Sequence, residues 1–190
     1  LRQHFDRHSH FDRVTAVLVG VGQQVQERVG NGAAVSQTVT IVGNTLDNTG
    51  DDSIEMELNA EDGVNVSQSV SIAGNSILNS GDYGIVIESY ISTGSTLTQS
   101  VTVANNLIDR VDERAIDIEV TARYGGDITQ TVAITGNSIN DANQGIYLFA
   151  SARDSNVTQS VSISGNSISN IRDEGIEVGA YASSGRVDQP

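Results

Sequence analysis

Gln130-Thr131-Val132-Ala133-Ile134-Thr135-Gly136-Asn137-Ser138-Ile139, followed after a polar turn by Gly145-Ile146-Tyr147-Leu148, is the stretch that decides the fold. Val132 and Ile134 alternate with Thr131, Ala133 and Thr135, a period of two that belongs to strands and not to helices. The stretch recurs. Its Gln reappears as Gln37, Gln68, Gln99 and Gln159, so the spacings are 31, 31, 31 and 29 residues. Six residues beyond each Gln stands Gly43-Asn44, Gly74-Asn75, Gly136-Asn137 or Gly165-Asn166, with Asn105-Asn106 in the middle copy. The second strand repeats as Ser53-Ile54, Gly84-Ile85, Ala115-Ile116, Gly145-Ile146 and Gly175-Ile176. Clusters such as Glu61-Asp62-Gly63 and Gly125-Gly126-Asp127 supply turns between strands.

Working outward, Leu1-Arg2-Gln3 matches Val35-Ser36-Gln37, and Val187-Asp188-Gln189 matches Val157-Thr158-Gln159. One domain over residues 1–190 is expected, with coils at 3–36, 37–67, 68–98, 99–129, 130–158 and 159–189. The first interval is the least regular: Phe5 and Phe11 take aliphatic positions, and Gly22 to Ala34 reads as an enlarged loop. Short strands with one apolar side cannot bury that side within a single repeat, so the repeats must stack as coils. The prediction is an all-β parallel solenoid of about six coils, roughly 31 residues each. At about 4.8 Å per coil it forms a rod of roughly 29 Å. Asn44, Asn75, Asn106, Asn137 and Asn166 then form an amide ladder at a bend, and Gln37, Gln68, Gln99, Gln130 and Gln159 an inward second one.

The pattern Val-x-Ile-x-Gly-Asn-x-Ile followed by Gly-Ile-x-Ile resembles the repeat of right-handed parallel β-helix proteins, the pectate-lyase-like superfamily. The resemblance implies a single-stranded right-handed β-helix. It leaves function open, because that superfamily includes polysaccharide lyases and hydrolases, tailspikes, adhesins and surface repeat proteins. Its enzymes usually carry an N-terminal cap and large loops, whereas the loops here are mostly short.

Composition removes other classes. Of 190 residues none is Cys, Trp or Lys, and 24 acids against ten Arg leave a net charge of −14. Without Cys there is neither a disulfide framework nor a thiolate metal site. The acidity argues against nucleic acid, and no apolar run is long enough for a membrane span. The start at Leu1, with no leader pattern, predicts a processed or excised piece of an extracellular or cell-surface protein.

Alternation along the second strand places Glu57, Glu88 and Glu119 in one outward column, continued by Phe149, and Glu55, Val86, Asp117, Tyr147 and Glu177 in another. Carboxylates one coil apart raise each other's pKa unless a cation relieves them. Ca2+, a hard oxygen-seeking ion, fits Glu57, Glu88, Asp117 and Glu119, although the fold requires no cofactor. The resemblance adds that lyases of the superfamily combine acidic rungs with an Arg; Arg114 and Arg123 both lie close in sequence to Asp117 and Glu119, and Asp117, Glu119 and Arg114 are the expected set if the chain is an enzyme. The competing reading is a solvated acidic face. Tyr147, Phe149 and Tyr90 offer aromatic contact to a glycan there. Acid pairs for glycoside hydrolysis carry no weight, because rung spacing imitates both characteristic separations. Asp51-Asp52-Ser53-Ile54 resembles the paired aspartates of polygalacturonases, yet its register mates Asp82-Tyr83-Gly84-Ile85 and Asp173-Glu174-Gly175-Ile176 make it an acidic turn. That branch's Gly-His-Gly and Arg-Ile-Lys elements are missing.

His4, His8 and His10 could pair on a metal or simply pack at the chain's start. No Ser has a His and Asp partner in register. Outward rows such as Thr38/Thr40, Ser69/Ser71, Ser100/Thr102 and Ser160/Ser162 raise ice binding as an alternative. The interruption at Ala133 and the abundance of Ser favour a hydrated face. Because the first and last copies share a register, Leu1, Gln3, Phe5, Val187 and Gln189 are the expected end-to-end interface. The partner there is another copy or adjacent repeats of a longer chain. The function expected is structural or adhesive, with a Ca2+-dependent lyase-like enzyme and a tailspike-like receptor-binding module as alternatives.

Overall fold

The computed structural model describes residues 34–189, together with the backbone of three earlier strands, β1 (Arg2–His8), β2 (Asp12–Leu18) and β3 (Gln23–Gly30). The first full coil runs through β4 (Ala34–Val42), β5 (Thr45–Thr49) and β6 (Ile54–Ala60). The second holds β7 (Asn65–Ala73), β8 (Ser76–Ser80) and β9 (Ile85–Ile91). In the third and fourth, β10 (Thr96–Ala104) and β12 (Asp127–Thr135) are followed by β11 (Leu107–Arg123) and β13 (Ser138–Arg153), each fusing the two later strands. The last has β14 (Asn156–Ser164), β15 (Ser167–Ile171) and β16 (Ile176–Ser183), and β17 (Arg186–Asp188) begins another turn. Among the described residues there is no helix, hence none long and apolar enough to cross a membrane.

Every pairing is parallel and joins one coil to the next, so the fold is a parallel β-solenoid. One sheet runs β17-β14-β12-β10-β7-β4-β2, and the other carries β1-β3-β6-β9-β11-β13 with the shorter strands beside it. Equivalent residues stack: Gln37, Gln68, Gln99, Gln130 and Gln159 lie in one register column, and Ile54, Ile85, Ile116, Ile146 and Ile176 in another. The shorter late repeats lose residues only at turns. One deletion falls at the bulge between Val111 and Arg114, the other between Arg123 and Asp127.

Left-handed backbone positions bend each coil at three corners. At the first corner Gly43, Gly74, Gly136 and Gly165 have φ between 62 and 69°, and Asn105 takes their place at 54°. Asn is the side chain that enters this region most readily, which explains why it alone replaces Gly there. The second corner uses Asn48, Asn79, Arg110, Asp141 and Asn170, and the third Asp62, Thr93, Tyr124, Asp154 and Ser184.

Alternation then fills the interior. Ile41, Ile72, Val103 and Ile134 are fully buried in the larger apolar cluster, while Leu58, Ile91, Leu97 and Ile128 belong to a smaller one. The buried Gln column lies along the strands between residues of the two clusters, such as Ile128 and Val132 around Gln130.

The N-terminal part departs from the expectation of six like coils. Gln3 pairs with Val25, which pairs with Met56, whereas the residue in register with Gln37 is Val14. The first and last copies therefore do not share a register. Residues 23–30 form a strand, not part of an enlarged loop. The turn from Gln3 to Val25 is 22 residues, nine fewer than the later repeat. Eight of the nine are lost between Leu18 and Gln23, where later coils carry the Gly-Asn-x-Leu/Ile arm with β5 or β8, and one at the turn from β1 to β2; the sequence before Ala34 has no such motif. Full-width turns number about five.

Candidate functional site

The outward side of β6, β9, β11, β13 and β16 gathers the acids. Glu57, Glu88, Glu119 and Phe149 are in register, as are Glu55, Val86, Asp117, Tyr147 and Glu177. Beside them runs a third column, Asn59, Tyr90, Thr121, Ser151 and Tyr181. Glu57, Glu88 and Glu119 with Tyr90 and Thr121 line a depression of about 160 Å³. Burial, then Glu119 and Glu57, pushes the Glu88 carboxyl up from its ordinary value.

Arg114 enters this face from the bulge at the start of the strand. Its Nε donates to Gln144 Oε1 at 2.7 Å, and its Nη1 donates to Asp117 Oδ2 at 2.7 Å and Glu119 Oε1 at 3.4 Å. The guanidinium lies 3.7 Å from the Tyr147 ring centre, held between opposite charge and an aromatic face. Asp117 is 3% exposed, and its Oδ1 has no hydrogen-bond partner among the described residues. Burial raises this carboxyl to about 6 even though Arg114 pulls it down. The polar relay continues as Gln144 Nε2 donates to Glu174 Oε2 at 2.8 Å and Glu177 Oε2 at 3.2 Å. Asp117, Glu119 and Arg114 thus form one cluster, the arrangement expected of an acid-Arg face.

The proposed Ca2+ set does not converge in the same way. Among the described residues, the three acids whose ligand atoms all lie within 4.8 Å of one another are Asp51, Asp52 and Asp82, in the preceding turns. Asp52 Oδ1 accepts from the Tyr83 N–H at 3.0 Å, and burial raises Asp52 to about 6 against that hydrogen bond, helped by Asp51, Asp82 and Glu55. Burial, then Glu113, Asp51 and Asp112, also raises Asp82. Glu57 is engaged by Asn59, whose Nδ2 donates to its Oε1.

Of the aromatic residues, Tyr147 and Phe149 stack with centroids 6.2 Å apart and planes 11° from parallel. Tyr90 stands two coils away, 5.6 Å below the Arg123 guanidinium, so the three do not form one platform.

Both amide columns are hydrogen-bonded ladders. Asn106 donates through its backbone N–H and Nδ2 to Asn137 Oδ1 at 2.9 and 3.0 Å, and a second Nδ2 contact reaches Ile72 O at 3.0 Å. The same contacts join Asn75 to Asn106 and Asn137 to Asn166. The Gln ladder points the other way: Gln68, Gln99, Gln130, Gln159 and Gln189 each donate Nε2 to the preceding Oε1. Gln37 Nε2 ends it with no hydrogen-bond partner among the described residues, where the register supplies Val14.

Of the expected end residues, Gln189 thus extends the Gln ladder and Val187 packs on the smaller apolar cluster. Leu1 and His10 lie outside the described residues, as do the side chains of Gln3, His4, Phe5 and His8. At the C-terminal edge Ile176 and Val178 are 49% and 47% exposed, while their register mates Ile146 and Leu148 are fully buried.

One feature was not anticipated. A groove of about 520 Å³ runs along the second corner over Gly50 and Gly81, between Asn48, Asn79, Arg110 and Arg172. Its sequence signal is the paired recurrence of Asn48/Asn79 with Gly50/Gly81. No family model, no curated protein and no solved structure matches the chain.

Proposed function

We propose that the chain is a non-catalytic, extracellular structural or adhesive solenoid, extended at its C-terminal edge by further rungs. Those rungs are adjacent repeats of a longer chain or another copy. The observation that carries this reading is the exposed interior of the last coil: Ile176 and Val178 sit at core positions yet remain half open. Apolar area covered there contributes roughly 25 cal/mol per Å², and the open edges of β15 and β16 seek partners as any exposed strand does. The narrower N-terminal turn cannot supply a mate for β15, so head-to-tail joining through that turn is disfavoured and a full-width coil is the fitting neighbour.

Electron microscopy and sedimentation at micromolar protein, with Ca2+ and with chelator, test the reading. Axial assembly that strengthens with salt or Ca2+ and disappears in Ile176→Asp/Val178→Asp supports it, since screening relieves repulsion between subunits of charge −14. Monomers under every condition, together with failure of an appended repeat to bury Ile176, refute it.

The Arg114 cluster favours a second reading, a polysaccharide-active face of the Ca2+-dependent lyase type. Arg114 is fixed by Asp117, Glu119 and Gln144, leaving Asp117 Oδ1 unused. Incubation with acidic oligosaccharides and Ca2+, read by ultraviolet absorbance of unsaturated products, decides it. Absence of product, of binding and of any effect of Arg114→Ala removes it.

A further inference from the structure

On the face opposite the acids, charge is confined to the sheet's outer strands, Arg186 and Asp188 on β17 and Asp12 and Arg13 on β2, and the five strands between them carry almost none. In β4, β7, β10, β12 and β14 the only charged residue is Asp127, at one margin, in a chain of net charge −14. Outward positions are chiefly hydroxyls, stacked in register as in the column Thr38, Ser69, Ser100, Thr131 and Ser160. At one margin stands the column Val42, Ala73, Ala104, Thr135 and Ser164, of which Val42 is 50% exposed.

We propose that two copies of this chain associate laterally through this hydroxyl face. Three properties select a second copy as the occupant. Charge comes first: approach through the opposite face sets the Glu57, Glu88 and Glu119 column against itself, so like-charge repulsion steers two copies away from it and onto their hydroxyl sides. Next, a hydroxyl both donates and accepts, so a hydroxyl lattice complements an identical lattice, as a two-fold interface requires. Both lattices share one rung spacing, and short side chains lose little rotamer freedom when fixed. Size is the third. Five strands about 4.8 Å apart and nine residues long at about 3.3 Å give roughly 700 Å² per copy, within reach of the approximately 800 Å² per partner of stable complexes.

Ser100 marks the centre, being the middle residue of the middle strand. Any two-fold axis through the centre of this face brings it against the partner copy's Ser100. Sedimentation velocity from about 5 to 500 μM in 0.5 M NaCl is run on Ile176→Asp/Val178→Asp, so that stacking through the coil edge does not contribute. A monomer–dimer equilibrium is expected. Ser100→Glu/Thr131→Glu in that background raises the dimer Kd at least tenfold without altering the circular dichroism. Because the chain has no cysteine, Ser100→Cys forms a disulfide-linked dimer under mild oxidation, while Glu88→Cys on the acidic face does not. A background that stays monomeric throughout, or a dimer that ignores the two Glu substitutions, overturns the proposal and leaves the edge-extension reading untouched.

Discussion

Replacing Asn106 by Ala removes the centre of the Asn ladder. Two donor contacts vanish, from Nδ2 to Ile72 O and to Asn137 Oδ1. Two acceptor contacts vanish as well, leaving the backbone N–H and Nδ2 of Asn75 without Asn106 Oδ1. At roughly 1 kcal/mol per contact the loss is about 4 kcal/mol, and it falls on a site 1% exposed where water cannot take over. Asn166→Ala is the matched control. There Asn137 loses its acceptor and Ile134 O its donor, but Asn166 is only partly buried and solvent substitutes for part of the loss, so about 1–2 kcal/mol is expected. Urea unfolding followed by far-ultraviolet circular dichroism, with slopes compared between variants, measures the difference. Values for the two variants within about 0.5 kcal/mol of each other would refute the claim that ladder energy depends on burial and on neighbours at both sides.

Stability should also depend on pH through Asp117. Its carboxyl, raised from 3.8 to about 6 by burial, stays protonated in the fold while the unfolded chain ionises. This contribution is therefore complete below about pH 4 and is lost as pH rises through about 6. The loss approaches 3 kcal/mol. The urea midpoint should be higher at pH 4.5 than at pH 8, and Asp117→Asn should reduce the difference without abolishing it, because Asp52 is also raised to about 6 by burial; an unchanged profile in the variant contradicts the assignment. Thr93, a β-branched residue at φ 55°, should be improved by Thr93→Asn, which enters the left-handed region more easily, by about 1 kcal/mol in the same assay. A loss of stability there would show that the Thr93 hydroxyl contact with Ser92 outweighs the backbone strain.

The fold was legible because both its covalent period and its side-chain period are written in the sequence. Gln130 and Asn137 repeat in step with the alternating Val and Ile, and each level agrees with the others. The first turn misled for a physical reason. Leu1-Arg2-Gln3 matches on three residues, but register is set by which side chains must face inward over a whole coil, and a coil lacking its middle arm returns nine residues early. Alternation placed Asp117 and Glu119 on one face, but proximity offered Arg114 and Arg123 alike, and only the bulge before Ala115 brings Arg114 onto them while Arg123 lies over Tyr90. Convergence of carboxylates was not legible. A column repeats its Cα positions every rung, yet Glu57 turns to Asn59 and Glu119 to Arg114, while Asp51 and Asp52 meet Asp82 because one turn supplies two acids and the next rung a third. The groove over Gly50 and Gly81 depends on missing side chains at a corner, which periodicity of apolar residues cannot reveal.

The two amide ladders give the rod a direction. Asn side chains accept from the coil before and donate to the coil after, whereas each Gln donates to the coil before. A coil that extends the structure at the C-terminal edge must therefore offer an Asn oxygen and a Gln amide at once, with both arms at full width. Gln189 already satisfies half of that requirement. At the other end Val14 stands in register with Gln37, the Gln37 amide finds no acceptor among the described residues, and Leu18 and Gln23 are eight residues closer in sequence than their mates Ile41 and Ile54, between which the Asn-bearing arm lies. A slip of one residue would turn either column outward and leave buried amides unpaired, at a cost of about 1–3 kcal/mol for each orphaned group. The ladders thus act less as glue than as a test of register, one that the C-terminal edge can apply to an incoming rung and the N-terminal turn cannot.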